Sequence, residues 1–170
     1  MATAILNPTT MYGAEGGWCN AVSPEFWNKG NTVYTANNNT VYKTIYDPSP
    51  SDYNIPKSAA FTGLTTTGYN SDTYAQFNVT GSFNKGWNFY SQPNFTGSNI
   101  FFKTFGGRDG YPVRYTGSIG GVFDTDYGFY LLSSLQDSTR PRFLLITLGS
   151  VYPHGSDGQT SYGFTVWPTK

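Results

Sequence analysis

Acid–base, thiol and imidazole chemistry in this chain must run through very few positions. Glu15 and Glu25 are its only glutamates, Cys19 its only cysteine and His154 its only histidine. Cys19, in Gly16-Gly17-Trp18-Cys19-Asn20, would serve as a nucleophile only beside a general base. His154 stands in an unrelated segment, so the thiol reads as a packed, small apolar group. Asp124 and Asp126 are two apart and on a strand would share a face, where paired carboxylates can exchange a proton or hold Ca²⁺. Within Phe123-Asp124-Thr125-Asp126-Tyr127-Gly128 they read more simply as a solvated turn. Ser133-Ser134 lacks the frame of a nucleophile elbow. Gly106-Gly107-Arg108-Asp109-Gly110 lacks the Lys-Ser/Thr pair of a phosphate loop. One cysteine excludes an intrachain disulfide, and one histidine leaves at most one candidate for a zinc site or a Ser-His-Asp triad. This inventory points away from an enzyme.

The elements that must position these residues are mostly short strands. Gly, Pro, Asn or Asp interrupts nearly every ten residues, which leaves little room for helix. The best helical candidate is Ser58–Leu64, with Ser58 as N-cap after Pro56. Val41–Tyr46, Phe77–Thr80, Trp87–Tyr90, Ile100–Phe102, Phe143–Thr147 and Phe164–Val166 read as strands. Phe83-Asn84-Lys85-Gly86 reads as a hairpin turn between two of them. No internal repeat and no linker divides the chain, so residues 1–170 are expected to form one domain.

Composition sets further bounds. Ten basic and ten acidic residues among 170 give a net charge of zero, which argues against phosphate-driven nucleic-acid binding. Fourteen Tyr, thirteen Phe and four Trp are too many aromatics for a disordered tail. No apolar run reaches the roughly 18 residues of a membrane span, so no membrane insertion is expected. Met1–Thr10 has neither the basic start nor the apolar centre of a signal peptide. Asn38, Asn78 and Asn94 open N-x-Thr triplets, which arise by chance in a chain this rich in Asn and Thr. All 14 asparagines lie between Asn7 and Asn99, whereas the four arginines (Arg108, Arg114, Arg140 and Arg142) all follow them. At the earlier density about ten asparagines would be expected after position 99.

Several segments in order carry a resemblance. They are Trp18-Cys19-Asn20, Lys43–Pro48, Ile55-Pro56, Ala60–Gly68, Trp87–Tyr90, Ile100–Phe102, Gly107-Arg108, Tyr127–Tyr130, Ser133-Ser134, Val151–Pro153 and Ser161–Pro168. This order resembles the C-type-lectin-like domains of the formylglycine-generating-enzyme type found in Bacteroidetes surface proteins and phage tail fibres. The chain departs from that pattern in three places. Leu131-Leu132 precedes the paired serines where a Trp is usual, and Trp167 stands where the last strand often carries Arg. The single cysteine replaces the pair used by the formylglycine enzymes, so that activity should be absent. Gln92-Pro93-Asn94 is similar to the sugar-binding triplets of Ca²⁺-dependent lectins, and reads equally as a turn between strands.

The resemblance implies an α+β, mostly β fold: a C-type-lectin-like domain with a small twisted antiparallel sheet, one or two short helices and long ordered loops. It also implies a division into a scaffold, residues 1–107, and a variable region, residues 108–166. In some members a diversity-generating retroelement mutates adenines copied into the C-terminal region, and Asn codons are its favoured targets. The loss of Asn after Asn99 fits that process. The implied ligand-binding residues are Asp109, Tyr111, Arg114, Asp124, Asp126, Tyr127, Asp137, Arg140, Arg142, Tyr152, His154 and Asp157. Aromatic and Arg side chains on an ordered scaffold suit binding hot spots.

The expected function is therefore host recognition at a phage tail fibre, with a bacterial surface polysaccharide or outer-membrane protein as partner. A homotrimer is implied for a fibre tip, and the virion tail is the implied location. A surface adhesin or fixed-specificity lectin on the bacterial cell surface is the alternative, and a structural capsid or tail decoration protein is a third. No cofactor is expected. Structural calcium held by backbone carbonyls would leave no motif.

Overall fold

The computed structural model describes residues 21–108, 122–123, 125–156, 158 and 164–170. Two three-stranded antiparallel sheets dominate. The first has the order β1-β2-β3, with β1 Val79–Thr80, β2 Gly86–Gln92 and β3 Thr96–Lys103. The second has the order β6-β7-β8, with β6 Gly128–Leu135, β7 Pro141–Ile146 and β8 Val151–Gly155. Between them in sequence, β4 Gly107–Arg108 pairs with β5 Val122–Phe123. Among the described residues, helix is confined to two 3₁₀ turns, Thr62–Leu64 and Tyr74–Gln76.

The fold is thus mostly β, as expected, but several local expectations need correction. Ser58 caps no helix. Its hydroxyl is buried 2.5 Å from that of Ser134, and only Thr62–Leu64 winds into a turn. Val41–Tyr46 is no strand either: Lys43 makes a single bridge to Asn28, and the chain then turns at Thr44–Asp47. Phe164–Val166 contributes one parallel bridge, Thr165 to Tyr130, rather than a strand. In each case tertiary hydrogen bonds override a local pattern that would suit a regular element.

β2 shows why the first sheet forms. Trp87 and Phe89 point inward and are buried, whereas Asn88 and Tyr90 alternate outward and are half-buried. Gly86 enters at φ +144°, and a Cβ there would stand 2.3 Å from the Phe102 carbonyl oxygen, so only glycine fits. Pro93-Asn94-Phe95 turns the chain into β3, with Asn94 and Phe95 both in the left-handed region. The Gln92-Pro93-Asn94 triplet is therefore the turn of its second reading.

β6 is the spine of the molecule: all eight of its residues are buried. Tyr130 and Leu132 enter a core with Phe61, Leu64, Phe77, Trp87, Phe89, Phe102, Leu144, Ile146 and Val151. Leu131 and Leu135 face the other way, against Val22, Trp27 and Ile55. Each fully buried Leu, Ile or Phe here contributes about 1.5–3 kcal/mol of transfer free energy. The Trp87 indole N–H donates to the Thr147 carbonyl at 2.9 Å and ties the two sheets together. At one end, Phe129, Phe143 and Phe164 form a ring cluster with centroids 4.9–5.5 Å apart.

The stretch 21–78 has almost no ladder, so side chains satisfy its backbone. Asn28 Oδ1 accepts from the Tyr42 amide at 2.8 Å, and Asn31 Nδ2 donates to the Pro24 and Val33 carbonyls at 3.1 and 3.0 Å. Asn78 is the hub: its Nδ2 donates to the Gly63, Tyr90 and Gln92 carbonyls, and its Oδ1 accepts from the Phe95 amide at 2.9 Å. Fully buried and so engaged, Asn78 offers no acceptor for glycosylation in the folded chain. Asp47, also buried, takes the Ser49 and Ile55 amides and pairs with Lys43 at 3.2 Å. The Lys43 ammonium also donates to the Asp47, Ser49 and Tyr53 carbonyls, so this loop is gathered around one multiply bonded cation.

Candidate functional site

β8 carries two of the expected ligand residues on one face. Tyr152 and His154 are half-buried and alternate with the buried Val151, Pro153 and Gly155. Gly155 is required where it stands, because a Cβ would lie 2.6 Å from the Phe143 ring. The outer edge of β8 is capped by the segment Asn70-Ser71-Asp72. Ser71 and Val151 exchange both backbone hydrogen bonds, each at 2.9 Å. This single antiparallel bridge sets the flanking side chains. Asp72 Oδ1 accepts from the Tyr152 and Ser150 hydroxyls, both at 2.6 Å. Asn70 Oδ1 accepts from the His154 amide at 3.0 Å.

Electrostatics follow from these contacts. The Ser150 hydroxyl, then the Tyr152 hydroxyl, hold the Asp72 carboxyl below its ordinary range against a small opposing effect of burial. Burial lowers the His154 imidazole pKa, and the nearby Arg142 guanidinium, on β7, lowers it further. Burial also lowers Arg142. Both Arg142 Nε and His154 Nδ1 are buried without a hydrogen-bond partner. The result is a cationic and imidazole pair beside a fixed tyrosine and carboxylate, all mounted on strands or on the segment bridged to them.

The turn from β6 to β7 places Asp137 and Arg140 immediately before Arg142. Asp137 Oδ1 accepts from the Thr139 amide and hydroxyl and from the Arg140 amide, each at 2.9 Å. Its Oδ2 pairs with the Arg140 guanidinium at 2.5 Å. Burial works against ionisation of Asp137, but the Arg140 side chain and the Thr139 and Arg140 donors outweigh it and bring the pKa down to about 2.

The remaining described residues of the expected set lie elsewhere. Asp126 pairs with Lys85 at 2.5 Å, and Tyr127 stacks on Phe129 with centroids 6.1 Å apart. They precede the first residue of β6, while Asp137 follows the last. Eight strand residues separate the two groups by roughly 25 Å. The structure therefore brings Arg142 and His154 together near the Asp137–Arg140 turn, whereas Tyr152 pairs with Leu145, itself paired with Phe129, and so stands level with the Asp126 and Tyr127 end of β6, two strands across. Asp109, Tyr111, Arg114, Asp124 and Asp157 lie outside the described residues, as does Cys19.

Asn70, Asp72 and Ser150 were not expected from the sequence. Nothing in Tyr69-Asn70-Ser71-Asp72 distinguishes it from an ordinary loop, and only the long-range bridge brings it to β8. Among the described residues no group of three His, Cys, Asp or Glu could hold a metal ion. No described helix is long and apolar enough to cross a membrane. A separate groove of about 230 Å³ lies between the Phe61–Leu64 turn, β3 and the C-terminal segment, lined by Phe89, Ile100, Phe102 and Trp167. Trp167 stacks there on Phe102 at 4.7 Å. Comparison with known proteins finds no matching family model, no matching curated protein and no matching solved structure.

Proposed function

We propose that this chain is a non-enzymatic recognition domain of the C-type-lectin-like class. In this reading it is the receptor-binding part of a phage tail fibre, and it engages a polysaccharide or protein on a bacterial surface. The binding face is that of Arg142, Tyr152 and His154, extended by Asn70, Asp72 and the Asp137–Arg140 turn. One observation carries the reading: three side chains suited to binding hot spots stand on β7 and β8, and an unrelated segment fixes the Tyr152 hydroxyl through Asp72 and the His154 backbone through Asn70. Side chains held before contact lose little entropy on binding. The absence of asparagine across the C-terminal third fits a face whose residues vary while its scaffold does not.

The test is binding of the labelled chain to a panel of gut bacterial cells. The Arg142→Ala, Tyr152→Ala, His154→Ala triple variant should lose at least ten-fold in binding while keeping its melting temperature within a few degrees. Asp126→Asn with Tyr127→Ala, at the N-terminal end of β6 and two strands across from β8, should bind as the native chain does. Loss confined to the second variant would move the site to that end, and absence of native binding would turn the reading toward a structural role.

A further inference from the structure

Arg142 and His154 directly precede Phe143 and Gly155, which pair across β7 and β8. Residues so placed are diagonal neighbours of an antiparallel pair, about 7–8 Å apart and within reach of long side chains. The guanidinium is close enough to the imidazole to disfavour its protonation. The inner nitrogens, Arg142 Nε and His154 Nδ1, are buried without a hydrogen-bond partner. The outer nitrogens, Nη1 and Nη2 of Arg142 and Nε2 of His154, stay accessible, and no described residue bonds them.

This pair is unfavourable to build without a counter-charge. The two groups repel one another when both are protonated, and partial burial raises the cost of either charge. The carboxylates of the adjoining segments are already engaged. Asp72 accepts from Ser150 and Tyr152, and Asp137 pairs with Arg140. No described carboxylate forms an ion pair with Arg142. Three unengaged donors on two paired strands, with no internal acceptor, suit an anionic group that arrives from outside.

We propose that Arg142 and His154 form an anion-binding subsite, and that the surface ligand is an acidic polysaccharide whose carboxylate, of the uronic-acid kind, seats there. The inference rests on the recognition reading above and narrows its ligand. Both Nη groups of the planar guanidinium can meet the two carboxylate oxygens, and the Nε2–H tautomer of His154 adds a third donor. One permanent positive charge matches a carboxylate. A phosphate group near pH 7 carries about 1.5 to 2 negative charges and would leave part of them uncompensated.

His154 is the only histidine, so its imidazole signals in proton NMR need no assignment. The test is a pH titration of the full chain at constant ionic strength in sodium chloride alone, then with D-glucuronate, D-glucose or inorganic phosphate. Glucuronate should raise the His154 pKa by about one unit, because an anion beside the imidazole favours its protonated form. Glucose should leave it unchanged, and phosphate should act more weakly than glucuronate. Arg142→Gln should raise the ligand-free value by removing the neighbouring cation, and should weaken glucuronate binding at least ten-fold. Its melting temperature reports that the fold is intact. No response to glucuronate, an equal response to glucose, a stronger one to phosphate, or a glucuronate response retained in Arg142→Gln would overturn the proposal. Cell binding without a glucuronate response keeps the recognition reading and removes the acidic ligand. A glucuronate response without cell binding keeps the subsite and removes the receptor.

Discussion

Residues 21–78 and residues 128–155 solve the same problem in different ways. Both must satisfy buried backbone groups around an aromatic core. The later stretch does it with three strands, whose ladder consumes amides and carbonyls in register and leaves the side chains free to be apolar. The earlier stretch has bridges and turns in place of a ladder, so it satisfies its backbone with the side chains of Asn28, Asn31, Asn38, Asp47 and Asn78. The difference gives the asymmetric distribution of asparagine a structural component. Asparagine is abundant where a loop needs a side chain that both donates and accepts, and β7 and β8 have no such need. On strands, exposed positions can change without unravelling the backbone, which is the property a binding face requires.

The sharpest test of this contrast removes one clamp and one core side chain. Asn78→Ala strips three carbonyls and the Phe95 amide of their partner and should cost about 3–5 kcal/mol. Leu132→Ala, at a fully buried position on β6, should cost about 2–5 kcal/mol through lost transfer energy and a cavity. Comparable losses in denaturant unfolding would establish that a polar clamp does the work of a core leucine. A loss below about 1 kcal/mol for Asn78→Ala would break the comparison.

A smaller effect concerns pH. His154 is the only histidine, and its folded pKa is depressed below 6.5 by burial and by Arg142. Asn70 contacts its amide, and Tyr152 with its Asp72 partner lies two residues away on the same face. In the window just below pH 6.5 the unfolded chain binds the proton that the folded chain refuses. Stability should therefore fall as pH drops through that window and recover above it. His154→Gln should flatten the profile between pH 7 and 5 in thermal melts, and an unchanged slope would assign it to other groups.

The smallest expected effect is at the turn between β6 and β7. Asp137 and Arg140 form a close ion pair, yet their side chains are 37% and 46% exposed. Solvent screening limits such a pair to about 1 kcal/mol or less, so Arg140→Ala should barely move the melting temperature at neutral pH. The stabilisation from ionised Asp137 is complete above its unfolded value near 3.8 and disappears as pH falls toward about 2. The native chain and Arg140→Ala should accordingly converge in stability at the acid end.

Much of the sheet scaffold was legible in the residues. Trp87–Tyr90, Ile100–Phe102 and Phe143–Thr147 announce strands through alternation or β-branched and aromatic content, and the turns at Asn84–Gly86 and Pro93–Asn94 follow from local chemistry. β6 was not legible, although it is the most buried strand. Gly128–Leu135 reads as an apolar run ending in serines, because burial on both faces removes the alternation that marks a strand. β8 does alternate, and Pro153 obscured it for a different reason, since a proline within a run argues against a strand. Of the candidate site, the residue types Arg, Tyr and His could be singled out. Their placement on β7 and β8, against the segment Asn70-Ser71-Asp72, could not.

Composition and local pattern by themselves determined a neutral, aromatic-rich, mostly β chain with few groups able to perform catalysis. These are properties of residue types and near neighbours, and they survive without knowledge of the fold. Only the tertiary structure decided that Asn70-Ser71-Asp72 lies against β8, that Ser58 meets Ser134, and that the Lys43 ammonium bonds three carbonyls. Apart from the lysine loop, those contacts join residues more than 70 positions apart. Their free energy comes from closing long loops onto a shared core, which no local pattern encodes.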